Sequence, residues 1–200
     1  MPAFASSARK RKRRLSEAEN SLQRLIIPTV IVVLVVLADQ LTKLWALANL
    51  SVGMTRQILG SFFQVTLLYN EGGVMGSDLG SSTFYLVSSI FVLIFVLYFI
   101  YASRNEKLIA YPLAIVAGGA LGNIIDRIRI GKVVDFLDFE FFDIAIGSFQ
   151  IERWWKFNIA DAAITVGVII IIASLLFSHS EQDKQKDKIP EDSRPAGLDI

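Results

Sequence analysis

The hydrophobic residues of this 200-residue chain gather into four long apolar runs, instead of recurring with the period of a helix or strand on a soluble surface. The runs cover residues 25–47, 84–102, 108–126 and 159–177. Each is close to the ~20 residues that an α-helix needs to cross the hydrocarbon core of a bilayer. The pattern predicts an all-α membrane protein whose core is a bundle of four transmembrane helices.

Two of the segments between the runs have the pattern of extended structure. In 56–69, apolar and polar residues lie on either side of the turn signal Gly60-Ser61, which predicts a small hairpin. The stretch 133–142 is rich in Phe and Val with partial alternation of charge and aromatic, so it is either a strand or an interfacial segment. We therefore expect a small extracytoplasmic β-element beside the helices.

The positive charges fall mainly on one side of the predicted bundle. The N-terminal tail carries the basic run 9–14, the link between the second and third apolar runs carries Arg104 and Lys107, and the C-terminal tail is rich in Lys. The positive-inside rule makes this side cytoplasmic. The loops 48–83 and 127–158 then face outward, although the second also carries basic residues. The sequence thus predicts both termini in the cytoplasm.

These features divide the chain into three parts. Residues 1–23 are predicted to be a basic cytoplasmic tail without fixed structure, 24–178 a four-helix membrane domain, and 179–200 a charged cytoplasmic tail. The basic run lacks interleaved aromatic residues, so it is interpreted as a tail that sets topology and no nucleic-acid partner is expected. The first apolar run is too long for a cleaved signal peptide, and no small-residue cleavage site closes it.

Composition excludes several kinds of catalytic site. The chain has no cysteine, and its one histidine is His179 in the C-terminal tail. Disulfides, thiol nucleophiles and Cys-ligated metals are therefore excluded, and so are His-rich zinc sites and triads built on a membrane-domain His. Carboxylates remain for acid–base chemistry, and no metal or cofactor is expected.

The polar residues inside or next to the apolar runs fall at one end of the predicted bundle. Successive helices alternate in direction, so the end of the first run, the end of the third and the start of the fourth lie on one side of the membrane. Residues three or four apart share a helix face, and Asp135 follows the third run by a short loop. The residues predicted to gather at this rim are Asp39, Lys43, Asn123, Asp126, Arg127, Asp135, Asn158 and Asp161.

Two charged pairs in this set have simpler interpretations. Asp39 and Lys43 could form a structural ion pair at a helix end that snorkels to the membrane interface. Asp126 could form a salt bridge at the rim with its neighbour Arg127, or Arg127 could bind a phosphate or a carbonyl. The residues alone leave these alternatives open.

The other polar residues differ in how strongly they indicate chemistry. Asn123 and Asn158 suit helix capping or backbone linking as well as they suit substrate contact. Asp161 lies inside the fourth apolar run without a basic neighbour at helical spacing, which favours a functional role because an ionisable group there is costly. Asp135 is the second candidate. From composition alone it has three competitors, which are Asp138, Glu140 and Asp143.

Two neighbouring carboxylates suit the hydrolysis of an amide. They cannot both ionise easily, so one holds a proton while the other accepts one. The ionised member can take a proton from water, and the neutral member can polarise the carbonyl or protonate the leaving nitrogen. Because the amide must reach the rim, we expect a substrate that is itself held in the membrane.

Five blocks of residues, in order along the chain, resemble a known family. The blocks are Asp39-Gln40-Leu41-Thr42-Lys43, Asn70-Glu71-Gly72-Gly73, Gly118-Gly119-Ala120 with Gly122-Asn123 and Asp126-Arg127, the stretch 131–136, and the stretch 157–167. The resemblance is to lipoprotein signal peptidase, also called signal peptidase II, a family of bacterial inner-membrane aspartyl proteases. After Asn70 the family commonly has two small residues and a Phe, where this chain has Gly73-Val74-Met75.

The resemblance implies both a reaction and a site. It implies that Asp135 and Asp161 are a catalytic dyad, and that the substrate is a prolipoprotein whose cysteine already carries diacylglycerol. The family cuts just before that cysteine, on the outer side of the membrane. A monomer in contact with membrane lipid is expected. The residues implied to surround the site are Asp39, Lys43, Asn70, Asn123, Arg127 and Asn158, and we expect Asp126 to support it.

Three other classes of protein also place carboxylates in membranes. A small proton-coupled transporter would use the aspartates as a relay, but it would spread polar residues toward the bilayer midplane and often contain repeats. A scaffold without enzymatic activity would keep its full activity when Asp161 is replaced by Asn. A presenilin-type protease would contain a Gly-x-Gly-Asp block within a span, and this sequence has none there.

Overall fold

A computed structural model describes residues 22–72, 81–140, 144–146, 149–151 and 155–186. In these parts of the chain, four helices are long and apolar enough to cross a membrane, which confirms the predicted fold class. They are α1 (Ile26–Asn49), α2 (Ser82–Ala102), α3 (Lys107–Ile130) and α4 (Ile159–Lys186). Most of the predicted 1–23 tail lies outside the described residues, whereas α4 continues into the predicted 179–200 tail.

The helix ends follow local capping chemistry more closely than they follow hydropathy. The third helix continues past Asp126 to Ile130, because the polar residues that end the apolar run do not end the backbone helix. It stops at Gly131, whose φ of 73° is the left-handed conformation that glycine adopts easily. Helix α2 begins after Ser81, whose side chain accepts a hydrogen bond from the Phe84 N–H.

Helix α3 is the centre of the bundle. It packs against α1, α2 and α4, and 61% of its apolar window is buried, against 17% for α1 and 11% for α2 and α4. Glycines make this packing possible. A Cβ at Gly118 would lie 2.7 Å from Val35 Cβ, and one at Gly122 would lie 2.5 Å from Asp39 Oδ2. Helix α3 therefore approaches α1 closely at these glycines.

A small antiparallel sheet stands at one end of the bundle. Strands β1 (Thr55–Leu59) and β2 (Phe63–Asn70) form the predicted hairpin, and β3 (Val133–Phe139) pairs with β2, so the first part of 133–142 is a strand. The strand order is β1-β2-β3. A second hairpin, which the sequence did not predict, pairs β4 (Ile144–Ile146) with β5 (Phe149–Ile151).

The sheet is fixed to the bundle by a small hydrophobic core. Residues near the C-terminal end of α1 pack against the inner faces of β2 and β3 in a cluster of Ala46, Leu50, Val65, Leu67, Val134 and Phe136. Helices α1 and α3 end beside the sheet, and α4 begins there. Residues from three helices and two strands can therefore meet at this end of the bundle.

Candidate active site

Lys43 lies at the centre of a buried group of charges between α1 and α3. Its ammonium is 2.9 Å from Asp39 Oδ2 and 2.8 Å from Asp126 Oδ2, and it donates a hydrogen bond of 3.0 Å to Asn123 Oδ1. Lys43 is only 2% exposed and Asp39 is fully buried. The ion pair of Asp39 and Lys43 exists, but the interpretation that it snorkels to the interface is wrong, because the pair is covered by α3.

Asp126 and Arg127 point to different partners. Consecutive residues on a helix do not face each other, and the Asp126 carboxylate pairs with Lys43 and accepts the Val134 N–H at 3.1 Å. Arg127 Nη2 instead donates to the Gly72 carbonyl at 3.1 Å. The rim salt bridge between the two neighbours is therefore wrong, and a carbonyl is the partner of Arg127.

The first turn of α4 is held by two aspartates and one asparagine. Asn158 Oδ1 accepts the Asp161 N–H at 2.9 Å, and Asp161 Oδ2 accepts the Asn158 N–H at 3.2 Å. This is the reciprocal arrangement of a capping box. From α1, Asp39 Oδ1 accepts the Ala160 N–H at 2.9 Å. Three backbone donors at the buried helix start are thereby satisfied, and the position of Asp161 is fixed.

Asparagine amides hold the carboxylates of Asp135 and Asp161. Asn158 Nδ2 donates to Asp135 Oδ1 at 2.8 Å, and Asn70 Nδ2 donates to Asp135 Oδ2 at 3.1 Å. Asn123 Nδ2 donates to Asp161 Oδ1 at 2.8 Å. Since Asn158 also donates its backbone N–H to Asp161, one residue bonds both carboxylates. The two acids therefore lie close together, although they are remote in sequence.

Asn123 connects the buried ion pairs to these carboxylates. Its Oδ1 accepts from Lys43 Nζ at 3.0 Å and from Asn158 Nδ2 at 3.1 Å. With its oxygen facing two donors, its Nδ2 is directed at Asp161. Asn158 thus caps α4, as the capping interpretation predicted, whereas Asn123 links side chains of α1 to side chains at the start of α4. Both asparagines also bond to the candidate dyad.

The surroundings of Asp135 raise the pKa of its carboxyl to about 7. Burial is the main cause, because it penalises the charged form, and the neighbouring Asp161 charge adds to it. Hydrogen bonds from Asn70 and Asn158 and the charge of Lys43 act in the opposite direction. The Asp135 carboxyl can therefore gain or lose a proton near neutral pH.

The competing acids have other surroundings. Asp138 is buried within the sheet region, where it accepts the Thr66 hydroxyl at 2.8 Å and lies 3.9 Å from Lys156 Nζ. Alternate strand residues face opposite sides, so Asp138 does not share the face of Asp135. Glu140 lies just beyond β3, and Asp143 is outside the described residues, as is Gly73-Val74-Met75. In the described ranges, no group of three or more His, Cys or acidic residues is arranged to hold a metal ion.

Gln40 belongs to the site, and the sequence reasoning missed it. Its Nε2 lies 3.1 Å from both Asp39 Oδ2 and Asp126 Oδ1 and 3.2 Å from the Gly122 carbonyl. Its Oε1 accepts from Arg129 at 3.3 Å. A glutamine inside an apolar run is a usable signal, because an amide in a membrane helix needs a partner from another helix.

Comparisons with known proteins agree on one family. A family model described as signal peptidase (SPase) II matches residues 31–177. The lipoprotein signal peptidase of Moorella thermoacetica is 35% identical over 161 residues, which cover 80% of this chain and 99% of that protein. The lipoprotein signal peptidase of Lactococcus lactis subsp. cremoris strain MG1363 is 34% identical over 151 residues, covering 76% and 94%.

A solved structure of a membrane enzyme has a similar fold. A bacterial membrane enzyme whose structure was determined by the in meso method at 2.3 Å resolution is similar with a TM-score of 0.65 and 30% identity. The similarity covers 84% of this chain and 94% of that one. The chain therefore belongs to the lipoprotein signal peptidase (signal peptidase II) family and is a membrane peptidase.

Proposed function

We propose that the protein is an aspartyl endopeptidase that removes the signal peptide from diacylglyceryl-modified prolipoproteins, cutting before the lipidated cysteine. The observation that carries this proposal is the shared use of Asn158 by the Asp135 and Asp161 carboxylates. It is supported by the family, whose curated members are lipoprotein signal peptidases.

The proposed dyad holds one proton between its two carboxyl groups. Two close carboxylates resist double ionisation, and the pKa of Asp135 is already raised to about 7 by burial and by Asp161. At neutral pH one carboxyl is then protonated and the other is ionised. The macroscopic pKa values belong to the pair and not to either residue alone.

In the proposed reaction, the ionised carboxylate removes a proton from a water molecule as its oxygen attacks the scissile carbonyl carbon. The protonated carboxyl donates its proton to the carbonyl oxygen, which gives a neutral tetrahedral intermediate. When the C–N bond breaks, the carboxyl that took the water proton delivers a proton to the leaving nitrogen. The other recovers its proton from a hydroxyl of the intermediate, so the dyad again holds one proton.

The surrounding residues are proposed to hold the dyad rather than to react. Asn123 and Asn158 fix the orientation of the carboxylates. Lys43 forms ion pairs with both Asp39 and Asp126 and so offsets part of their negative charge. Such holding matters because a displacement of about 1 Å can cost on the order of 100-fold in rate.

The proposed setting is the bacterial cytoplasmic membrane, with both termini in the cytoplasm and the site on the outer side. The basic tail and the link that carries Arg104 and Lys107 support this orientation. Residues 24–178 form the proposed peptidase domain, which acts as a monomer and is surrounded by lipid. The exposed apolar faces of α1 and α2 suit lipid contact. The diacylglyceryl chains keep the substrate in the same bilayer, where its cleavage site can reach the rim.

A cleavage assay with purified protein tests the proposal. Wild type, Asp135→Asn and Asp161→Asn are incubated with a diacylglyceryl-modified prolipoprotein and with the same prolipoprotein lacking the lipid, and the new N-terminus is identified by mass spectrometry. We expect wild type to cut the modified substrate before the cysteine, and each variant to lose at least about 100-fold in rate while remaining folded. Undiminished cleavage by either variant would remove that aspartate from the mechanism.

A further inference from the structure

An exposed ion pair between Glu71 and Lys132 lies next to the candidate active site. Glu71 Oε1 is 2.6 Å from Lys132 Nζ, with side-chain exposures of 70% for Glu71 and 42% for Lys132. The Lys132 ammonium also lies 5.7 Å from the centre of the Tyr69 ring, within cation–π distance. Lys132 therefore contacts two side chains at the end of β2, which is the strand that carries Asn70.

Lys132 stands on a turn that is fixed from several sides. The preceding Gly131 caps α3, with its N–H bonded to the Arg127 carbonyl at 3.0 Å, and its own carbonyl accepts the Ser82 hydroxyl at the start of α2. Just after Lys132, β3 begins, and the Val134 N–H is bonded to Asp126. Lys132 therefore extends from a turn whose neighbouring residues are hydrogen-bonded to α2 and α3.

Glu71 lies between two residues that touch the candidate site. Asn70 Oδ1 accepts the Gly72 N–H at 3.0 Å, so the amide oxygen is occupied and Nδ2 is left for Asp135. On the other side, the Gly72 carbonyl accepts from Arg127. The direction of the Asn70 amide therefore depends on how the turn 70–72 is held.

We propose that Glu71 and Lys132 are a positioning pair that holds the turn 70–72 against the α3–β3 turn, so that Asn70 keeps its hydrogen bond to the Asp135 carboxylate. The expected effect on cleavage rests on the proposed function, whereas the positioning of Asn70 does not. The pairing of Asn70 with Val133 in the sheet fixes the backbone, and the ion pair fixes the residues just beyond it.

The proposal predicts a measurable change at Asp135. The hydrogen bond from Asn70 lowers the pKa of this carboxyl, so its loss should raise the pKa further. Lys132 holds the pKa of Glu71 below its usual value, so the pair stays charged over the neutral range. The ionisable side chains that act on Asp135 are Asp161 from α4, Lys43 from α1 and Arg127 from α3.

Charge reversal separates positioning from simple electrostatics. Glu71→Lys places two positive charges together, Lys132→Glu places two negative charges together, and the double variant restores an opposite pair. Through charge alone, Glu71→Lys would lower the pKa of Asp135 and Lys132→Glu would raise it. If the pair acts by positioning, both single variants raise this pKa, and the double variant returns it to the wild-type value.

The experiment is a titration of the Asp135 carboxyl by ¹³C NMR of the full chain in detergent micelles, with the signal assigned by its loss in Asp135→Asn. Glu106→Lys and Lys107→Glu, at the opposite end of the bundle, are matched controls that should leave the titration unchanged. We expect an upward shift in both single variants, with kcat/KM reduced roughly two- to fivefold, the size of effect typical of an exposed ion pair.

Shifts of opposite sign in the single variants, an unchanged titration, or a double variant that fails to recover would overturn the positioning role. The titration does not require cleavage, so its outcome is independent of the proposed function. Absence of cleavage by wild type would count against the function, whereas cleaving variants with an unshifted Asp135 would count against the positioning pair alone.

Discussion

The candidate active site contains two pairs of aspartates that are held in different ways. Asp39 and Asp126 both contact the Lys43 ammonium, at 2.9 and 2.8 Å. Asp135 and Asp161 are held by asparagine amides and a backbone N–H. All four carboxylates lie at the same end of one bundle. The first pair contacts a cation in addition to neutral donors, whereas the second pair is held by neutral donors.

This difference indicates what each pair can do. A carboxylate that contacts a buried ammonium has part of its charge offset, and removing either partner leaves an unpaired charge in the interior. A carboxylate held by amides is fixed in space, but its charge is not balanced, so it can exchange a proton more easily. We infer that the Lys43 pair holds the fold and that the amide-held pair carries the chemistry.

Breaking the charged pair should produce the largest loss of stability. Lys43→Met leaves Asp39 and Asp126 buried without their cation, so we expect the free energy of unfolding to fall by about 3–5 kcal/mol. Thermal unfolding in detergent micelles measures the effect. Lys107→Met, an exposed lysine at the start of α3, is the matched control and should change stability by less than about 0.5 kcal/mol. Equal melting temperatures for the two variants would contradict the structural role of Lys43.

A second pair of variants separates the two functions of Asn158. Asn158→Ser keeps a side-chain oxygen that can cap α4 but loses the amide that bonds Asp135, whereas Asn158→Ala loses both. We expect equal losses of cleavage, with the Ala variant less stable than the Ser variant by about 1 kcal/mol. Cleavage rates and urea-unfolding midpoints measured on the same preparations test this. A Ser variant with wild-type activity would show that the amide bond to Asp135 is dispensable.

The pH dependence of stability gives the effect that is most specific to the Asp135 carboxyl. Because the pKa of Asp135 is raised from 3.8 to about 7, the folded protein holds a proton that the unfolded chain releases between these values. The stability from this carboxyl is complete below pH 3.8 and is lost as the pH rises through about 7. Asp135→Asn removes this loss, so its melting temperature should rise relative to wild type between pH 4 and pH 8, by about 2–4 °C for each kcal/mol. A difference in melting temperature between Asp135→Asn and wild type that stays constant across this pH range would contradict the raised pKa of Asp135.

Much of the fold could be predicted from the sequence, because membrane helices are encoded locally. Apolar runs of about 20 residues predict spans, and the observed α1 and α2 start and end within about two residues of the predicted limits. The hairpin of β1 and β2 has a turn signal between two short extended segments. Hydropathy places the end of α3 too early, because the backbone helix continues to the stop signal at Gly131.

The site could be predicted only in part, because its contacts join distant positions. The convergence of polar residues follows from alternating helix direction, which is a property of topology. The hydrogen bond from the Ala160 N–H to Asp39 spans 121 positions, and no local pattern indicates it. Spacing also could not decide between Asp135 and Asp138, since strand register determines which one meets Asn158.

The most direct test of the difference between the two aspartate pairs applies one substitution to a member of each. Asp161→Asn and Asp126→Asn are both isosteric, and both the cleavage rate of a diacylglyceryl-modified prolipoprotein and the melting temperature are measured. We predict that Asp161→Asn loses at least about 100-fold in cleavage with little loss of melting temperature, whereas Asp126→Asn melts several degrees lower and its folded fraction still cleaves. An Asp161→Asn variant that cleaves at the wild-type rate, or an Asp126→Asn variant that is fully stable and inactive, would contradict this division of roles.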